Sequence, residues 1–405
     1  MAQPKIYVGL EIGTTKTCMV VAEVYPDAKA TIIGIGKVPT VKVVKGEIVD
    51  EIDVRKCVTD AWLQAQDHAN VDICSVILSV TGEHMKGENR TGLYRLPDGE
   101  FEVQEKHLKE ARNSAFKTHL TSERMVTDRV MGPFILDDKE STYHPVGLSA
   151  QTLKFNIHEM HGIQTRLQNS LHCVRNIPLE VDSMVFAPYA TAQVILNRQQ
   201  KDAGALVIDI GGGTTDFICF YDGHVVASGC VPVGGNTINQ DIIKVSKLPV
   251  SNAAAEKFKC LYGHAFANVE DKSEIVYQSE NGLQEVRMKR GDLNRIICER
   301  LYETLNLVKK RIPEQALANP HMAVYLSGGT SVMPGLDELA QRIFNRPVYQ
   351  PDLPSDDDQY SYLRDPRYCT AIGLIRYAQL FEEDDDLQRP RSFWARLKGL
   401  FSGKR

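Results

Sequence analysis

The nine residues Ile208-Asp209-Ile210-Gly211-Gly212-Gly213-Thr214-Thr215-Asp216 constrain this chain more than any other stretch. Apolar β-type runs flank them, from Leu206 on one side and through Phe217-Ile218-Cys219-Phe220 on the other, so the pattern is a buried hairpin closed by a glycine turn. Three glycines remove every Cβ from the turn, which lets backbone N–H groups converge on an anion. Thr214 and Thr215 add hydroxyl donors. Asp209 and Asp216 cannot hold a phosphate, but either suits the water shell of a Mg²⁺ ion.

A second copy of this grammar opens the chain. Tyr7-Val8-Gly9-Leu10-Glu11-Ile12-Gly13-Thr14-Thr15-Lys16-Thr17 is again strand, acidic residue and Gly-Thr-Thr turn, followed by the strand residues Cys18 to Val21. Lys16 stands as a point charge for a phosphate, and Glu11 has the reach to touch a Mg²⁺-bound water. The P-loop spacing G-x-x-x-x-G-K-[ST] is missing, and a strand rather than a helix follows. One such turn is common; two, each opening about half of the chain, imply a duplicated phosphate-binding unit. A third element, Ala323-Val324-Tyr325-Leu326-Ser327-Gly328-Gly329-Thr330-Ser331, runs a strand into a flexible turn and on to Met333-Pro334-Gly335. Gly328 and Gly329, with Thr330 and Met333 beside them, offer a flat backbone surface for an adenine or ribose. Glu256 and Lys259 share a helix face by i,i+3 spacing, where they can grip ribose hydroxyls; on its own such a pair is an ordinary surface ion pair. The glycines of Val233-Gly234-Gly235 enter a helix and supply free N–H donors.

Composition narrows the class. With 405 residues and 43% hydrophobic content the chain can bury a large core, divided over two to four domains. The net charge of −5 hides an asymmetry: residues 389–405 carry six positive and no negative side chains, leaving about −11 on the preceding body (−5 minus +6), which argues against nucleic acid. The nine cysteines are scattered, with no C-x-x-C pair, and read as buried thiols in a reducing compartment. The first strand begins by Ile6, leaving no room for a signal peptide, and no apolar run reaches the ~18–20 residues of a membrane span, so the expectation is a cytoplasmic protein.

Along the chain, the spacing predicts a helix over 53–66, a strand over 73–80 and helical signals over 181–196 with Pro188 in the first turn. Between them, residues 86–161 break the pattern with strands at 91–96, 129–136 and 152–157 and a helix at 104–116. Helices are also expected over 238–244 and 291–308, the latter with a stripe of Leu293, Ile296, Ile297, Leu301, Leu305 and Val308, and from Thr370 to near Phe381. The run Glu382-Glu383-Asp384-Asp385-Asp386 repels itself and reads as a solvated linker over 382–391. Residues 392–405 then form an amphipathic helix capped by Ser392. Phe393, Trp394, Leu397, Leu400 and Phe401 fall in an arc of roughly 120°, flanked by Arg396 and Lys398 that can snorkel toward lipid phosphates. This is the signature of a helix lying in a membrane surface rich in anionic lipid.

The two hairpins and the Gly-Gly turn resemble the actin-like ATPase superfamily, and the tail and the segment 86–161 make the chain look, more closely, like the FtsA family of bacterial cell-division actin homologues. That resemblance implies a two-lobed α/β fold, a duplicated ribonuclease H-like core with small inserted subdomains. It divides the chain into a first core (1–85 and 162–200), an inserted interaction subdomain (86–161), a second core (201–243 and 313–381) and a small subdomain (244–312). It implies ATP and Mg²⁺ in the cleft, self-association into filaments, anchoring of the FtsZ ring at the cytoplasmic face of the inner membrane, and recruitment of other division proteins. The small subdomain would receive the acidic C-terminal peptide of FtsZ, with Arg290, Arg295 and Arg300 as candidates. The superfamily's water-positioning acid or amide aligns with Ala187, which can neither take a proton nor orient water, and Gln193 is a less well-placed substitute. The expectation is at most a slow ATPase. Rival readings are a small-molecule kinase or phosphatase of the same superfamily, and another membrane-associated actin homologue of pilus assembly or cell shape.

Overall fold

The computed structural model describes residues 4–25, 30–117, 120–246, 250–266, 272–278, 285–351 and 364–383. Two mixed sheets carry the architecture. The first has five strands in the order Glu180–Phe186, Ser75–Val80, Lys5–Ile12, Lys16–Val24, Thr31–Pro39. Lys5–Ile12 runs parallel to Ser75–Val80, which runs parallel to Glu180–Phe186. Their carboxyl ends, Ile12, Val80 and Phe186, therefore finish on one edge, where α/β sheets place ligands.

The helix Glu51–Ala69 covers this sheet. Asp50 caps it by accepting from the amides of Ile52 and Asp53, and of its apolar stripe Val54, Cys57, Val58, Ala61 and Ala65 are buried while Trp62 is partly buried. Residues 181–196 differ from expectation: Glu180–Phe186 is a strand, and helix begins only at Ala187, with Pro188 in its first turn. A short apolar run fits either period, and parallel pairing along Ser75–Val80 decides it.

The second sheet has nine strands, in the order Val348–Tyr349, Ala323–Ser327, Ala205–Ile210, Thr215–Tyr221, His224–Val231, Lys86–Arg95, Thr152–Ile163, Arg124–Leu136, Glu140–Thr142. Its first five strands belong to the second half of the chain, and its last four to the segment after the first lobe. The seam is one pairing, Gly229 with Lys86. The inserted segment keeps its own core, in which Leu108, Ala111 and Ala115 of the helix Glu105–Phe116 pack on Phe134, Leu153, Phe155 and Ile157. Its strands run longer than the sequence signals, because ladder pairing with Thr152–Ile163 carries its neighbours on into polar residues.

The helices Ala187–Ile195 and Cys369–Glu383 lie against each other between the sheets, with Tyr189 edge-on to Tyr377. Beyond the second sheet lie the helices Gly235–Ser246, Asn252–Tyr262 and Arg290–Lys309 and the hairpin Glu274–Gln278/Glu285–Lys289. All six residues of the stripe expected on Arg290–Lys309 are buried. No helix of the described residues is long and apolar enough to cross a membrane. The amphipathic segment, with Phe393, Trp394, Arg396, Leu397, Lys398, Leu400 and Phe401, lies outside the described residues.

Candidate functional site

The two glycine-containing hairpins meet tip to tip. Each turn closes with the same bond, Gly13 N–H to the Lys16 carbonyl in one and Gly211 N–H to the Thr214 carbonyl in the other, both 2.9 Å. Glu11 therefore corresponds to Asp209, Lys16 to Thr214 and Cys18 to Asp216. The threonine pairs that look equivalent in sequence are not: Thr14 and Thr15 form one tip, whereas Gly212 and Gly213 form the other. This explains the glycines. A Cβ on Gly212 would lie 2.3 Å from Cγ2 of Thr15, and one on Gly213 would lie 2.3 Å from Oγ1 of Thr14. Among the described residues, the amides of Thr14, Thr15, Gly212 and Gly213 donate to no protein acceptor. Four N–H groups with no protein partner, on two turns that line one cavity, form a cradle able to receive an anion.

Carboxylates stand behind the cradle. Asp209 and Asp216 face each other directly across the second hairpin, a like-charge pairing that is unfavourable without a cation or a proton. Burial first, then Asp216 and Glu11, push the Asp209 carboxyl up to about 7, against Lys16 and a hydrogen bond from Thr370. Burial pushes Asp216 up to about 6, against hydrogen bonds from Thr81, Cys230 and Thr214. The Thr81 hydroxyl, from the first lobe, donates to Asp216 at 2.6 Å. The hydroxyls of Thr370 and Thr191 approach Asp209 at 3.2 and 3.4 Å and each other at 2.9 Å. On the first hairpin, Glu11 is held by Lys16 at 2.5 Å. Burial pulls the Lys16 ammonium down, but the Glu11 charge and hydrogen bond together with Cys18 and Asp209 outweigh it, and the ammonium stays above its usual value.

These groups line one cavity between the lobes. Glu11, Gly13, Thr14, Thr15, Lys16, Asp209, Gly211, Gly212, Gly213, Thr214, Asp216, Gly328 and Gly329 all reach it. Four further lining residues carried no motif: Ser79, Thr81, Arg367 and Thr370. Thr81 follows the carboxyl end of Ser75–Val80, so the parallel pairing of that strand with Lys5–Ile12 was the signal available for it. Ala187 lines the wall, as its alignment implied, whereas Gln193 does not: its amide bonds the Tyr189 carbonyl and accepts from Lys201.

The remaining candidates sit around this centre. Thr215 is buried and donates to the Val233 carbonyl, beneath the cradle. Thr330 and Met333 are buried; the Thr330 hydroxyl lies 3.5 Å from the Gly211 carbonyl. Lys259 is buried rather than on the surface, 2.5 Å from Glu256 and 3.2 Å from the Gly235 carbonyl, and Asn239 donates to Glu256 at 2.6 Å. The Gly234-Gly235 turn corrects one expectation. The amides of Gly235 and Asn236 are not free donors, since they bond the Gly211 and Gly212 carbonyls at 2.9 and 2.8 Å and brace the second hairpin from behind. Of the arginines, Arg290 donates to the Tyr262 carbonyl, Arg295 pairs with Asp292 three residues away, and Arg300 bridges Asp241 and Glu303, tying its helix to Gly235–Ser246.

Two family models match the chain. A family model described as "Cell division protein FtsA" matches residues 206–373, and one described as "SHS2 domain inserted in FTSA" matches residues 82–160. The chain is 31% identical over 391 residues to the cell division protein FtsA of Neisseria meningitidis serogroup B, covering 93% of this chain and 91% of the relative. It is 31% identical to the FtsA of Escherichia coli K12 (93% and 90% covered) and 28% identical to that of Bacillus subtilis 168 (93% and 84%). Among solved structures, a PilM–PilN type IV pilus biogenesis complex superposes with a TM-score of 0.63 at 15% identity, covering 91% of this chain and 97% of that one. MreB5 of Spiroplasma citri bound to ADP superposes at 0.51, also at 15% identity, covering 94% and 97%. Likeness at that identity is likeness of fold.

Proposed function

The chain belongs to the FtsA family of cell division proteins, and from that premise we propose that it is a nucleotide-controlled membrane tether for the division ring. Its fold is that of the actin-like ATPases. In this reading ATP·Mg²⁺ binds between the lobes, the loaded protein assembles into filaments, and the segment 392–405 holds them on anionic lipid at the cytoplasmic face of the inner membrane. Each tail alone binds weakly, and many in a row bind firmly. The filament then carries FtsZ and other division proteins.

The observation that carries the reading is the cradle: four partnerless amides at two touching tips, with an acidic pair behind them. The amides of Thr14, Thr15, Gly212 and Gly213 and the Lys16 ammonium suit the phosphates. Glu11, Asp209 and Asp216 suit a cation through water, since among the described residues no three acidic, histidine or cysteine groups stand close enough to ligate one ion directly. The ion, when bound, offsets the phosphate charge and the repulsion between the two aspartates. The tips are in contact, so seating phosphates between them shifts one lobe against the other, a movement that filament assembly can read. Gly328, Gly329, Thr330 and Met333 with Glu256 and Lys259 are the side proposed for the nucleoside. Ala187 on the cavity wall leaves turnover slow. Arg290, Arg295 and Arg300 are proposed for the acidic FtsZ peptide, whose carboxylates would compete with Asp292 and Glu303 for them.

Membership of the FtsA family favours this reading over a small-molecule kinase, and the pilus and cell-shape homologues share only the fold. The test is co-sedimentation with phosphatidylglycerol-containing vesicles, with and without ATP·Mg²⁺, viewed by electron microscopy. The full chain is expected to pellet with ATP and to coat vesicles with filaments. The chain cut after Gln388 is expected to bind ATP as tightly and to stay in the supernatant. Pelleting of the cut chain would overturn the role of the tail.

A further inference from the structure

Arg367 lines the cavity yet belongs to none of the motifs. It sits in a short 3₁₀ turn, Pro366–Tyr368, anchored to the Gly328 turn: the Gly328 amide and the Ser327 hydroxyl both donate to the Pro366 carbonyl, at 3.3 and 3.2 Å. Asp365 caps that turn by accepting from the Arg367 amide and also grips the guanidinium as a fork, Nε to Oδ1 at 2.9 Å and Nη2 to Oδ2 at 2.5 Å. A forked guanidinium has a fixed plane and a largely neutralised charge. The side chain is still about half exposed, at 52%, so a face of that plane is available to a ligand.

Its neighbours say which part of a nucleotide it meets. The two glycines of the turn look in different directions: a Cβ on Gly328 would meet Asp209 at 2.4 Å, and one on Gly329 would meet the Cγ and Cδ atoms of Arg367 at 3.7 and 3.8 Å. Arg367 thus stands across the turn from the acidic pair. It also acts on Cys260, whose thiol is pushed up by burial and by Glu256 and drawn back by Lys259 and then Arg367. It therefore stands within electrostatic reach of the residue beside Lys259 while also lining the cavity with the hairpin tips.

We propose that Arg367 is a base-stacking residue: its guanidinium plane, held by Asp365, packs on the face of the nucleobase seated on the Gly328-Gly329 surface. The assignment rests on the nucleotide reading above and deepens it. Stacking on a planar cation is tolerant of base identity, because every base has a π-face.

Equilibrium binding of ATP, ADP and inorganic tripolyphosphate to the full-length chain tests this. Arg367→Ala is expected to weaken ATP and ADP about tenfold and to leave tripolyphosphate unchanged. Arg367→Lys, which keeps the charge and loses the plane, is expected to behave like alanine. Arg367→Tyr, which keeps a plane and loses the charge, is expected to recover most of the affinity, and so separates stacking from any loss of fold. If lysine keeps full ATP affinity while tyrosine and alanine lose tripolyphosphate as well, Arg367 is a phosphate contact and the proposal fails. If all three variants bind as the parent does, it also fails. If the parent chain binds tripolyphosphate but not ATP, or neither, the nucleotide reading itself falls before any variant is made.

Discussion

The two hairpins share a backbone and divide the chemistry. Both close with the same bond, made by a glycine two residues beyond an acidic residue. The first has side chains at its tip, Thr14 and Thr15, and a cation, Lys16, already committed to Glu11. The second has bare backbone at its tip and two aspartates facing each other. The two turns share one closing bond, and with Thr14 and Thr15 at one tip the other has room only for glycine. The hairpin with the lysine holds the positive charge; the one with the bare tip carries two facing aspartates, and so has most to gain from a metal ion.

The largest effect should come from restoring side chains to the bare tip. Gly213→Ala places a methyl against Oγ1, Cβ and Cγ2 of Thr14, all within 3.0 Å, so no rotation of that β-branched side chain clears it. Forcing in a methyl costs about 1–3 kcal/mol, and ATP affinity should fall about 10- to 100-fold by calorimetry, with the fold retained. Thr14→Gly placed on Gly213→Ala should restore most of it, because the bare tip has merely changed sides. A double variant as weak as the single one would show that Gly213 matters for its backbone angles and not for the tip contact.

That contact was not legible in the sequence, although both hairpins were. Matching Gly13-Thr14-Thr15 to Gly213-Thr214-Thr215 is the natural alignment of the letters, and the closing bonds slide it by two residues. A string gives the composition of a turn but not which residue closes it. Helix stripes, by contrast, were legible down to single residues on Arg290–Lys309, because burial repeats every turn. Strand Glu180–Phe186 was misread because its neighbour, Ser75–Val80, is distant in sequence. Distance hid Thr81, Thr370 and Arg367 as well: parallel strand ends and one helix start bring them to the cavity from far along the chain. Glu256 and Lys259 were visible as a helical pair, but the reach of Lys259 to Gly235 was not.

A smaller effect sharpens the division of charge. Asp216 and Cys18 occupy the same place in the two hairpins. Asp216→Asn keeps the shape and an acceptor for Thr81 while removing a charge, and should reduce the gain in ATP affinity on adding Mg²⁺ about tenfold, the scale of one charge-assisted contact. Cys18→Ala, at a fully buried site, should cost about 1 kcal/mol of stability and leave that Mg²⁺ dependence within about twofold. Equal losses from both variants would mean that the hairpins contribute alike to the cation, and the division drawn above would be wrong.

The smallest effect is the pH dependence of the ligand-free protein in chelator. Asp209 and Asp216 titrate as a coupled pair, at about 7 and about 6 in the folded chain, against roughly 3.9 when unfolded. Carboxyls with raised values bind protons more tightly folded than unfolded, so their contribution to stability is complete below about pH 4 and is lost as pH rises through 6 to 7. His84 and His158 work in the opposite direction, because burial first, with nearby positive groups, lowers them to about 4 and about 3. Their stabilisation accrues as pH rises toward their unfolded value of about 6.5, and is nearly complete above it. The informative window is therefore pH 6.5 to 8, read as the difference between the parent and Asp209→Asn/Asp216→Asn, which cancels the histidines. The parent's apparent Tm should fall by about 1 °C more than the double variant's across that window, and saturating Mg²⁺ should shrink the gap. Parallel curves would mean that the facing aspartates do not repel in the folded chain, and would remove the reason for assigning the cation to the second hairpin.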